Sequence, residues 1–518
     1  AEVRQRRSSN FIARIKDVEG RWLDDAQRIK ASATAFYAKL FSSEATIRGG
    51  FPDPPFEIPT VDSAHNNMIQ GIPTVEEIRQ AVFSMDANSA PGPDGFGVGF
   101  YQKCWEVIKD DLVKAIREFF LGVSQPRGWS SSLIVLVPKV EGACQWRDFR
   151  TISLCNVSSK IISKILASRL NGILPDIISP WQTGFVPGRG ISDNILLAQE
   201  MTQDLDRRLK DPNLILKLDM EKACDRVEWS FLLFMLRQFG FQEQVVDLCF
   251  RTFSNSWFSV LINGEPAGYF KSSRGVRQGD PLSPALFLFV AEFLGRGIHD
   301  LFLARESRFF VSAGSRVPYL AFADDIMIFT RCSSDALTAI KLFLEQYQAW
   351  LGQKVNIGKS SFCPASGASP EQLQLVLSTL GFREQRLPIR YLGVPLTKGR
   401  VSCVLFDGLL TRLRQRLFHW SSKLLSTGGK IVLIRQVLSS IPLHLLQVLQ
   451  PPNAVLVALG RICNAFLWDR NTTEKRVHWA AWEKVCFPVE EGGLGMRAFG
   501  DVLRAFSCKL WWKLRRRD

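Results

Sequence analysis

The sequence predicts an α+β fold, and three observations indicate it. Two β-prone apolar segments flank the acid pair Asp324-Asp325 within residues 319–329, which predicts a hairpin with the acids at its tip. Short apolar runs of strand composition occur again at residues 133–139 and 214–219. Amphipathic stretches with helix caps lie among these runs, so neither helices nor strands alone account for the chain.

The composition indicates a folded, basic protein with more than one core. Hydrophobic residues make up 46% of the 518 residues, which predicts roughly two to four domains or subdomains. The formal net charge of +15 indicates a polyanionic partner. We find neither an apolar run long enough to cross a bilayer nor a secretory signal, and therefore expect no membrane partner. Eleven scattered cysteines without zinc-ligand spacing predict reduced thiols and an intracellular protein.

The C-terminal segment carries most of the positive charge. Residues 398–518 contain 20 Lys and Arg against 8 Asp and Glu, a net charge of +12. Six tryptophans lie in the same segment, namely Trp420, Trp468, Trp479, Trp482, Trp511 and Trp512. Cationic surface mixed with aromatic rings predicts a module that grips nucleic acid through phosphates and stacked bases. The alternative is that the tryptophans form a core and the charges a solvated face.

Composition and spacing divide the chain into four segments. Residues 1–48 combine mixed charge with helical spacing and predict an N-terminal helical extension. Residues 49–73 are rich in proline and glycine and predict a linker. Residues 74–397 predict the compact body, with its core motifs from about residue 130 onward. Residues 398–518 predict a helical C-terminal extension.

The compact body begins with helices. Thr74 followed three residues later by Glu77 predicts a capping box for a helix over residues 75–85. A rigid, turn-rich loop at residues 89–95 separates this helix from a second amphipathic stretch that ends near residue 121.

Two later helices are predicted from their first residues. Ser158 and Ser159 predict the cap of an amphipathic helix that stops at Gly172. Ser283 with Pro284 predicts the N-cap and first turn of an apolar helix that follows the loop at residues 275–282.

Asp219, Asp324 and Asp325 are the candidate metal ligands. Asp219 ends the predicted strand at residues 214–219, and the other two lie at the predicted hairpin tip. Phosphoryl transfer with two Mg²⁺ ions needs carboxylates from separate elements that converge on ions roughly 3.5–4 Å apart. Mg²⁺ prefers oxygen ligands and keeps several waters, so a few aspartates and substrate phosphates suffice. The two elements satisfy this need if their strands are neighbours in one sheet; an isolated Asp-Asp pair is more often a solvated turn.

Seven motifs occur in order along the chain. They are Pro91-Gly92-Pro93-Asp94-Gly95, Asp148-Phe149-Arg150-Thr151-Ile152-Ser153-Leu154, Gln182-Thr183-Gly184-Phe185-Val186-Pro187-Gly188-Arg189, Leu216-Lys217-Leu218-Asp219-Met220, Arg277-Gln278-Gly279-Asp280-Pro281-Leu282-Ser283-Pro284, Phe322-Ala323-Asp324-Asp325 and Tyr391-Leu392-Gly393-Val394-Pro395-Leu396. Together they resemble the reverse transcriptase of LINE-type non-LTR retrotransposons, of the kind common in plant genomes. The resemblance runs from about Thr74 to the C-terminus.

The resemblance implies a right-hand polymerase fold. Residues 74–397 would form the fingers and a palm whose antiparallel sheet carries the acids, and residues 398–518 a helical thumb and its extension. Asp219, Asp324 and Asp325 match the family's catalytic carboxylates, which hold two Mg²⁺ ions, with Mn²⁺ as an alternative. The backbone carbonyl at Met220 matches a further metal ligand.

The resemblance also implies a nucleotide-binding set around these acids. Lys139 and Arg150 match fingers residues that clasp the incoming triphosphate, a role that suits a fixed cation and a guanidinium fork. Gln278 and Gly279 match the loop that borders the nascent base pair, where a small residue allows close backbone approach. Lys359 matches a palm lysine that donates a proton to the departing pyrophosphate.

Two positions depart from the family pattern. Cys224 stands where the family has an aromatic residue, whose ring is expected to lie under the sugar and exclude a 2′-hydroxyl. The smaller side chain predicts weaker discrimination against ribonucleotides. Thr151 stands where a proline usually follows the arginine and stiffens the loop that aims it. Both changes are also compatible with drift in a decaying genomic copy.

The resemblance implies an RNA-directed DNA polymerase that extends a DNA 3′-hydroxyl on an RNA template with dNTPs. The missing initiator methionine leads us to expect part of a longer chain, and the resemblance implies a polyprotein that carries an endonuclease elsewhere. We expect it to act in the nucleus after ribonucleoprotein assembly in the cytoplasm. One alternative is a catalytically silent RNA-binding protein, which the intact acids disfavour. Another is an RNA-directed RNA polymerase, which the motifs disfavour and Cys224 leaves open.

Overall fold

A computed structural model describes residues 10–43, 50–314, 316–420, 425–469 and 477–516. These residues form two compact units. The first contains the described residues up to Gly190 together with Arg207–Glu384, and the second contains Ile191–Asp206 with the described residues from Gln385 onward. Both units contain helices and strands, which confirms the predicted α+β class.

The strands of the described residues form four sheets. They are β1 (Ile15–Lys16), β2 (Trp22–Leu23), β3 (Ser131–Pro138), β4 (Phe149–Cys155), β5 (Asn213–Leu218), β6 (Trp257–Ile262), β7 (Glu265–Lys271), β8 (Tyr319–Phe322), β9 (Asp325–Arg331), β10 (Ser361–Pro364), β11 (Arg383–Glu384), β12 (Ile389–Tyr391) and β13 (Val394–Leu396). β1 pairs with β2 and β12 with β13, while the others form one five-stranded and one four-stranded sheet.

The helices surround these sheets. They are α1 (Ala26–Leu40), α2 (Ser63–Gln70), α3 (Val75–Phe83), α4 (Val98–Lys103), α5 (Trp105–Phe120), α6 (Arg127–Ser130), α7 (Val157–Asn171), α8 (Leu174–Ile177), α9 (Ile191–Gln203), α10 (Trp229–Gln238), α11 (Glu243–Phe253), α12 (Ser283–Leu303), α13 (Ser334–Leu351), α14 (Pro370–Leu380), α15 (Asp407–Trp420), α16 (Thr427–Leu433), α17 (Leu443–Leu446), α18 (Asn453–Trp468), α19 (Trp482–Val485) and α20 (Phe499–Arg516). A π-helical turn, Ile434–Leu438, continues α16.

The five-stranded sheet of the first unit has the strand order β11-β10-β5-β9-β8. All neighbouring strands are antiparallel except β10 and β11. β5 lies at the centre, and its residues Leu214, Leu216 and Leu218 are fully buried. Helices α12 and α13 contact β8 and β9. Burial on both faces explains why β5 is an almost continuous apolar run in the sequence.

The four-stranded sheet has the order β4-β3-β6-β7, with β3 and β6 parallel. Helix α1 packs on β6 and β7, and Tyr37 of this helix shares a buried cluster with Trp146 and Phe258. The predicted N-terminal helix therefore contributes to the core of this sheet. The domain boundaries predicted from composition stay a prediction.

The predicted helix starts are partly right. Thr74 caps α3 by accepting a hydrogen bond from the Glu77 N–H at 3.2 Å, but the Glu77 carboxylate pairs with Arg169 at 2.7 Å and does not close a capping box. Helix α7 begins at Val157, so the predicted cap by Ser158 and Ser159 is wrong, because both serines lie inside its buried first turn.

The ends of the later helices follow the same mixed pattern. Gly172 directly follows α7, which confirms the predicted stop. Ser283 is the first residue of α12 and not its cap; the Leu282 N–H donates to the Asp280 carboxylate at 3.0 Å instead. Pro284 lies in the first turn of α12, as predicted.

The second unit combines one hairpin with helices. Helix α9 joins the hairpin β12–β13, because Asn194 Nδ2 donates to Tyr391 Oη at 3.1 Å. It also contacts α20 through an ion pair between Asp193 and Lys513 with a 3.1 Å N–O distance. These contacts make residues 191–206 part of the unit that otherwise follows residue 384.

Among the described residues, no helix is both long enough and apolar enough to cross a membrane. The eleven cysteines all lie in described segments, and none of them forms a disulfide. Five of them are buried, so they behave as small core residues.

Glu228→Ala is expected to reduce the free energy of unfolding by about 3–5 kcal/mol, because it leaves the buried Arg274 charge unpaired. Glu228 and Arg274 are each 3% exposed and 3.4 Å apart. Urea denaturation measures the change. Glu243→Ala breaks the exposed pair with Arg237 and serves as the control, with an expected loss of less than about 1 kcal/mol. Equal losses in the two variants would contradict a buried ion pair at Glu228.

Candidate active site

The acid pair lies in a two-residue hairpin turn, as the sequence predicts. Phe322 of β8 pairs with Asp325 of β9, so Ala323 and Asp324 form the turn. Ala323 has a φ of 56°, which is the left-handed conformation typical of tight hairpin turns. Asp324 is thereby at the tip, and Asp325 is the first residue of β9.

Asp219 lies beside this hairpin. Leu218 pairs with Ile326, so the residue after β5 continues toward Asp325 in the antiparallel register. The Asp219 N–H donates to Ser360 Oγ at 3.1 Å, and its carbonyl accepts from the Asn356 N–H at 2.8 Å. The structure therefore satisfies the condition that both acidic elements belong to one sheet.

Met220 follows in the same backbone pairing. It faces Val355, and the flanking hydrogen bonds run from Asn356 to the Asp219 carbonyl and from Glu221 to the Lys354 carbonyl, each 2.8 Å long. Neither bond uses the Met220 carbonyl oxygen. The geometry thus leaves this oxygen outside the pairing of the two segments.

The electrostatics of the acids suit a bound cation. Desolvation, followed by the negative charges of Asp325 and Asp219, raises the pKa of Asp324. Desolvation and Asp219 also raise the pKa of Asp325, although Lys217 opposes them. Carboxylates that repel one another are stabilised by a divalent cation with its preference for hard oxygen ligands. The three acids therefore supply the kind of oxygen ligand that such an ion prefers.

The acids do not form a closed metal cage on their own. Within the described segments, no group of three or more Asp, Glu, His or Cys side chains is arranged to hold an ion. An ion here would need further ligands from water, backbone carbonyls or substrate phosphates, which is typical of Mg²⁺ sites.

The cationic residues Lys139 and Arg150 come from the four-stranded sheet. Arg150 pairs with Val137, and the Lys139 N–H donates to the Asp148 carbonyl at 2.8 Å, so both lie at the same end of β3 and β4. Arg150 is close enough to Asp324 to lower the pKa of that carboxyl group against the stronger effect of its desolvation. The sheet end that carries these cations therefore faces the acids.

Lys359 lies near the same cluster, in an exposed loop. Its N–H donates to the Asn356 carbonyl at 3.1 Å. Desolvation and then the charge of Lys359 lower the pKa of Lys139, while Asp225 and Asp219 oppose this shift. The structure thus brings the predicted lysines and acids within electrostatic reach of one another.

The loop with Gln278 and Gly279 packs directly on β4. The Ser153 N–H donates to the Gln278 carbonyl at 2.7 Å. Gly279 has a φ of 111°, and a Cβ there would lie 2.8 Å from the Ser153 carbonyl oxygen. A residue with a Cβ would be strained by the positive φ and would clash with the Ser153 carbonyl oxygen. The predicted need for a small residue at position 279 is therefore explained by the close contact with Ser153.

Cys224 begins a short 3₁₀ turn, Cys224–Arg226, and its side chain is partly buried. Desolvation and the charges of Asp225 and Asp324 raise the pKa of its thiol. The thiol therefore stays protonated at neutral pH and lies near the acid at the hairpin tip.

Asp225 is a residue of this site that sequence reasoning missed. It is 2% exposed, and its carboxylate accepts hydrogen bonds from Thr151 Oγ1 at 2.9 Å and from Gln278 Nε2 at 3.1 Å. Burial raises its pKa, with Lys222 as the largest opposing influence. The alternation of β4 could have indicated a buried polar partner, because it places the Thr151 hydroxyl on the buried face while the neighbouring Arg150 is exposed.

The Thr151 hydroxyl therefore makes a hydrogen bond that a proline at this position could not make. The interpretation of this residue as a loss of stiffness is incomplete, since its hydroxyl ties β4 to the buried carboxylate of Asp225. Through Asp225 it is also connected to the loop that carries Gln278.

The tryptophans of the second unit divide between core and surface. Trp482 is 9% exposed and stacks with Phe499 at a centroid distance of 6.5 Å. Trp479, Trp511 and Trp512 are all more than half exposed. Of these four tryptophans, only Trp482 belongs to a core, as the alternative predicted. The side chain of Trp420 lies outside the described residues.

Comparison with known proteins gives a consistent result. Residues 137–396 match the family model described as reverse transcriptase (RNA-dependent DNA polymerase). The chain is 28% identical over 505 residues to the transposon TX1 149 kDa protein of Xenopus laevis, covering 95% of this chain and 37% of that protein. It is 27% identical over 362 residues to the Pol polyprotein of the type-2 retrotransposable element R2DM of Drosophila melanogaster, covering 67% and 33%. The chain thus spans about a third of the length of these relatives.

A solved structure of telomerase from Candida tropicalis, in complex with a fragment of telomeric RNA, matches with a TM-score of 0.38 and 15% identity. The match covers 70% of this chain and 57% of the telomerase chain.

Thr151→Val is expected to lower the free energy of unfolding by about 1–3 kcal/mol, because it leaves one oxygen of the buried Asp225 carboxylate without its donor. Thr151→Ser keeps the hydroxyl and is expected to stay closer to the unsubstituted protein. Thermal unfolding of the two variants measures the difference. If serine and valine destabilise the protein equally, the hydroxyl does not carry the stabilisation.

Proposed function

The chain belongs to the reverse transcriptase (RNA-dependent DNA polymerase) family, and from this premise we propose that it extends a DNA 3′-hydroxyl on an RNA template by phosphoryl transfer. One observation carries the proposal. The end of β5 and the β8–β9 hairpin present Asp219, Asp324 and Asp325 side by side, and Arg150 of the four-stranded sheet lies within electrostatic reach of Asp324.

The three aspartates and the Met220 carbonyl would hold two Mg²⁺ ions, with Mn²⁺ as an alternative. When bound, such ions activate an attacking hydroxyl and stabilise the charge on the triphosphate and the leaving oxygen. Desolvation raises the pKa of Asp324 and of Asp325, and the charge of Asp219 adds to both shifts. A cation at this position would offset the repulsion between the carboxylates, which supports the assignment.

The cationic residues would bind the dNTP. Lys139 offers a compact charge and Arg150 a guanidinium fork, both directed by the adjacent ends of β3 and β4. Gln278 and Gly279 would border the nascent base pair, in a loop held against Ser153. Lys359 would donate a proton to the departing pyrophosphate, a role that its exposed loop position permits.

Cys224 would lie beneath the sugar of the nucleotide. Its proximity to Asp324 supports this placement. A thiol is smaller than an aromatic ring, so it leaves room for a 2′-hydroxyl where a ring would exclude it.

The second unit would hold the RNA template and the RNA–DNA hybrid through the backbone. Support comes from the net charge of +12 over residues 398–518 and from the exposed rings of Trp479, Trp511 and Trp512. Target-primed insertion would need a nick from an endonuclease in a longer polyprotein. Such an enzyme would act in the nucleus after ribonucleoprotein assembly in the cytoplasm.

Asp324→Asn is expected to reduce primer extension by at least about a hundredfold, because a metal site that loses one carboxylate loses several kcal/mol of charge stabilisation. The assay uses a DNA primer annealed to an RNA template, with Mg²⁺ and dNTPs. Asp111→Asn, at an exposed position of α5, is the matched control and should extend primers normally. Equal background synthesis by the unsubstituted protein and Asp324→Asn would reject the enzyme in favour of a silent RNA-binding protein.

Cys224→Tyr is expected to raise the preference for dNTPs over rNTPs by about tenfold or more, because the ring fills the space beside the 2′-position. Single-nucleotide incorporation with dNTPs and rNTPs measures the ratio. Cys224→Ala keeps the space open and should incorporate rNTPs like the unsubstituted protein. A preference that does not change in Cys224→Tyr would remove Cys224 from sugar selection, and a preference for rNTPs on RNA would indicate an RNA polymerase.

A further inference from the structure

The segment Gln182–Arg189, singled out in the sequence only for its family resemblance, lies against the hairpin that carries the acids. The side chain of Gln182 is 2% exposed. Its Oε1 accepts the N–H of Ala323 at 2.9 Å, and its Nε2 donates to the Ala323 carbonyl at 3.3 Å. One side chain therefore holds both backbone groups of the residue that precedes Asp324.

The backbone of the same segment covers the open edge of the sheet. β8 is the last strand of the five-stranded sheet. The Thr183 N–H donates to the Ala321 carbonyl at 3.0 Å, and the Ala321 N–H donates to the Trp181 carbonyl at 2.9 Å. Gln182 is thus fixed in register with the strand whose turn it holds.

Gly184 allows this close approach. A Cβ at this position would lie 2.3 Å from the Ala323 nitrogen, a distance that no real side chain tolerates. The Gly184 N–H also donates to Gln182 Oε1 at 2.9 Å, so the same amide oxygen receives two backbone donors. The amide of Gln182 is therefore oriented as well as buried.

Arg189 anchors the segment from the other side. Its guanidinium donates to four backbone carbonyls, those of Pro175, Ile178, Ser179 and Gln182, at 2.5–2.9 Å. The carbonyl of Gln182 is among them, so the backbone of the clamping residue is itself held in place.

The clamped residue needs such support. Ala323 has a φ of 56°, a left-handed conformation that disfavours a residue with a Cβ. The hydrogen bonds of Gln182 to the N–H and carbonyl of Ala323 offset this cost and help to hold the turn. Asp324 follows directly, so relaxation of Ala323 would move the Asp324 carboxylate.

We propose that Gln182 is a positioning residue for the transfer reaction, which fixes the strained turn at Ala323 and thereby the orientation of the Asp324 carboxylate. The inference rests on the proposed function for its catalytic consequence, but the clamp itself is a property of the fold. Gln182 acts through Ala323 and contacts no reacting atom.

Gln182→Met tests the proposal, because methionine has a similar volume and makes none of the three side-chain hydrogen bonds of Gln182. We expect kcat for primer extension to fall about tenfold or more, while the KM for dNTP changes less than about twofold, since a small displacement of a catalytic group chiefly affects the chemical step. Gln125→Met, at another buried glutamine of the same unit, is the matched control and should retain kcat.

A second substitution separates positioning from general damage. Ala323→Gly removes the conformational cost of positive φ, so in the Gln182→Met background it should recover part of the lost kcat. A double variant no better than Gln182→Met, together with a fall in thermal stability, would assign Gln182 a merely structural role and overturn the proposal.

Hydrogen exchange gives a readout that does not depend on activity. Gln182→Met should speed amide exchange in the peptide that covers residues 319–329, and Gln125→Met should not. Unchanged exchange in this peptide would overturn the clamp. If the unsubstituted protein extends no primer although exchange responds as expected, the proposed function fails and the clamp stands.

Discussion

The pairing of β5 with β9 brings acidic residues from distant parts of the chain to one end of a sheet. Leu218 opposite Ile326 sets the register, and Asp219 and Asp325 follow at the adjoining positions. Burial and the charge of Asp219 raise the pKa of Asp325, so the carboxylates themselves disfavour this arrangement. The register persists because a slip of one residue would turn Lys217 to the face that the buried leucines of β5 occupy. The apolar core therefore sustains a concentration of negative charge that a divalent cation would stabilise.

The second sheet depends on a different constraint, the buried carboxylate of Asp225. It joins β4, through Thr151, to the loop of Gln278, and this loop is also bound to β4 by the Ser153 N–H. A buried carboxylate without donors would be costly, so each of these bonds restricts where the neighbouring segments can lie. Arg150 precedes Thr151 in β4, so the backbone that carries it is held by this network as well as by the strand pairing.

Features that depend on neighbours in sequence could be predicted, and features that depend on distant partners could not. The hairpin at Asp324-Asp325 follows from two apolar segments around a turn-prone pair, and the position of Asp219 follows from the alternation of one strand. Glu77 has the correct spacing for a capping box, yet it pairs with Arg169, which lies far away in the chain. Nothing near Asp225 in the sequence distinguishes it from other polar residues, because its hydrogen-bond donors come from two other segments. Family resemblance supplied the roles of Lys139 and Lys359, which no local pattern indicates.

The two departures from the family pattern meet at one place in the structure. Cys224 and Asp225 are neighbours in a single turn, and the Thr151 hydroxyl donates to Asp225. A proline at position 151 would restrict the backbone beside Arg150 but could donate no hydrogen bond to the carboxylate. Threonine instead ties this backbone to the segment that also carries Cys224. Strand β4, which carries Arg150, is therefore held by a buried hydrogen bond to the turn that contains Cys224.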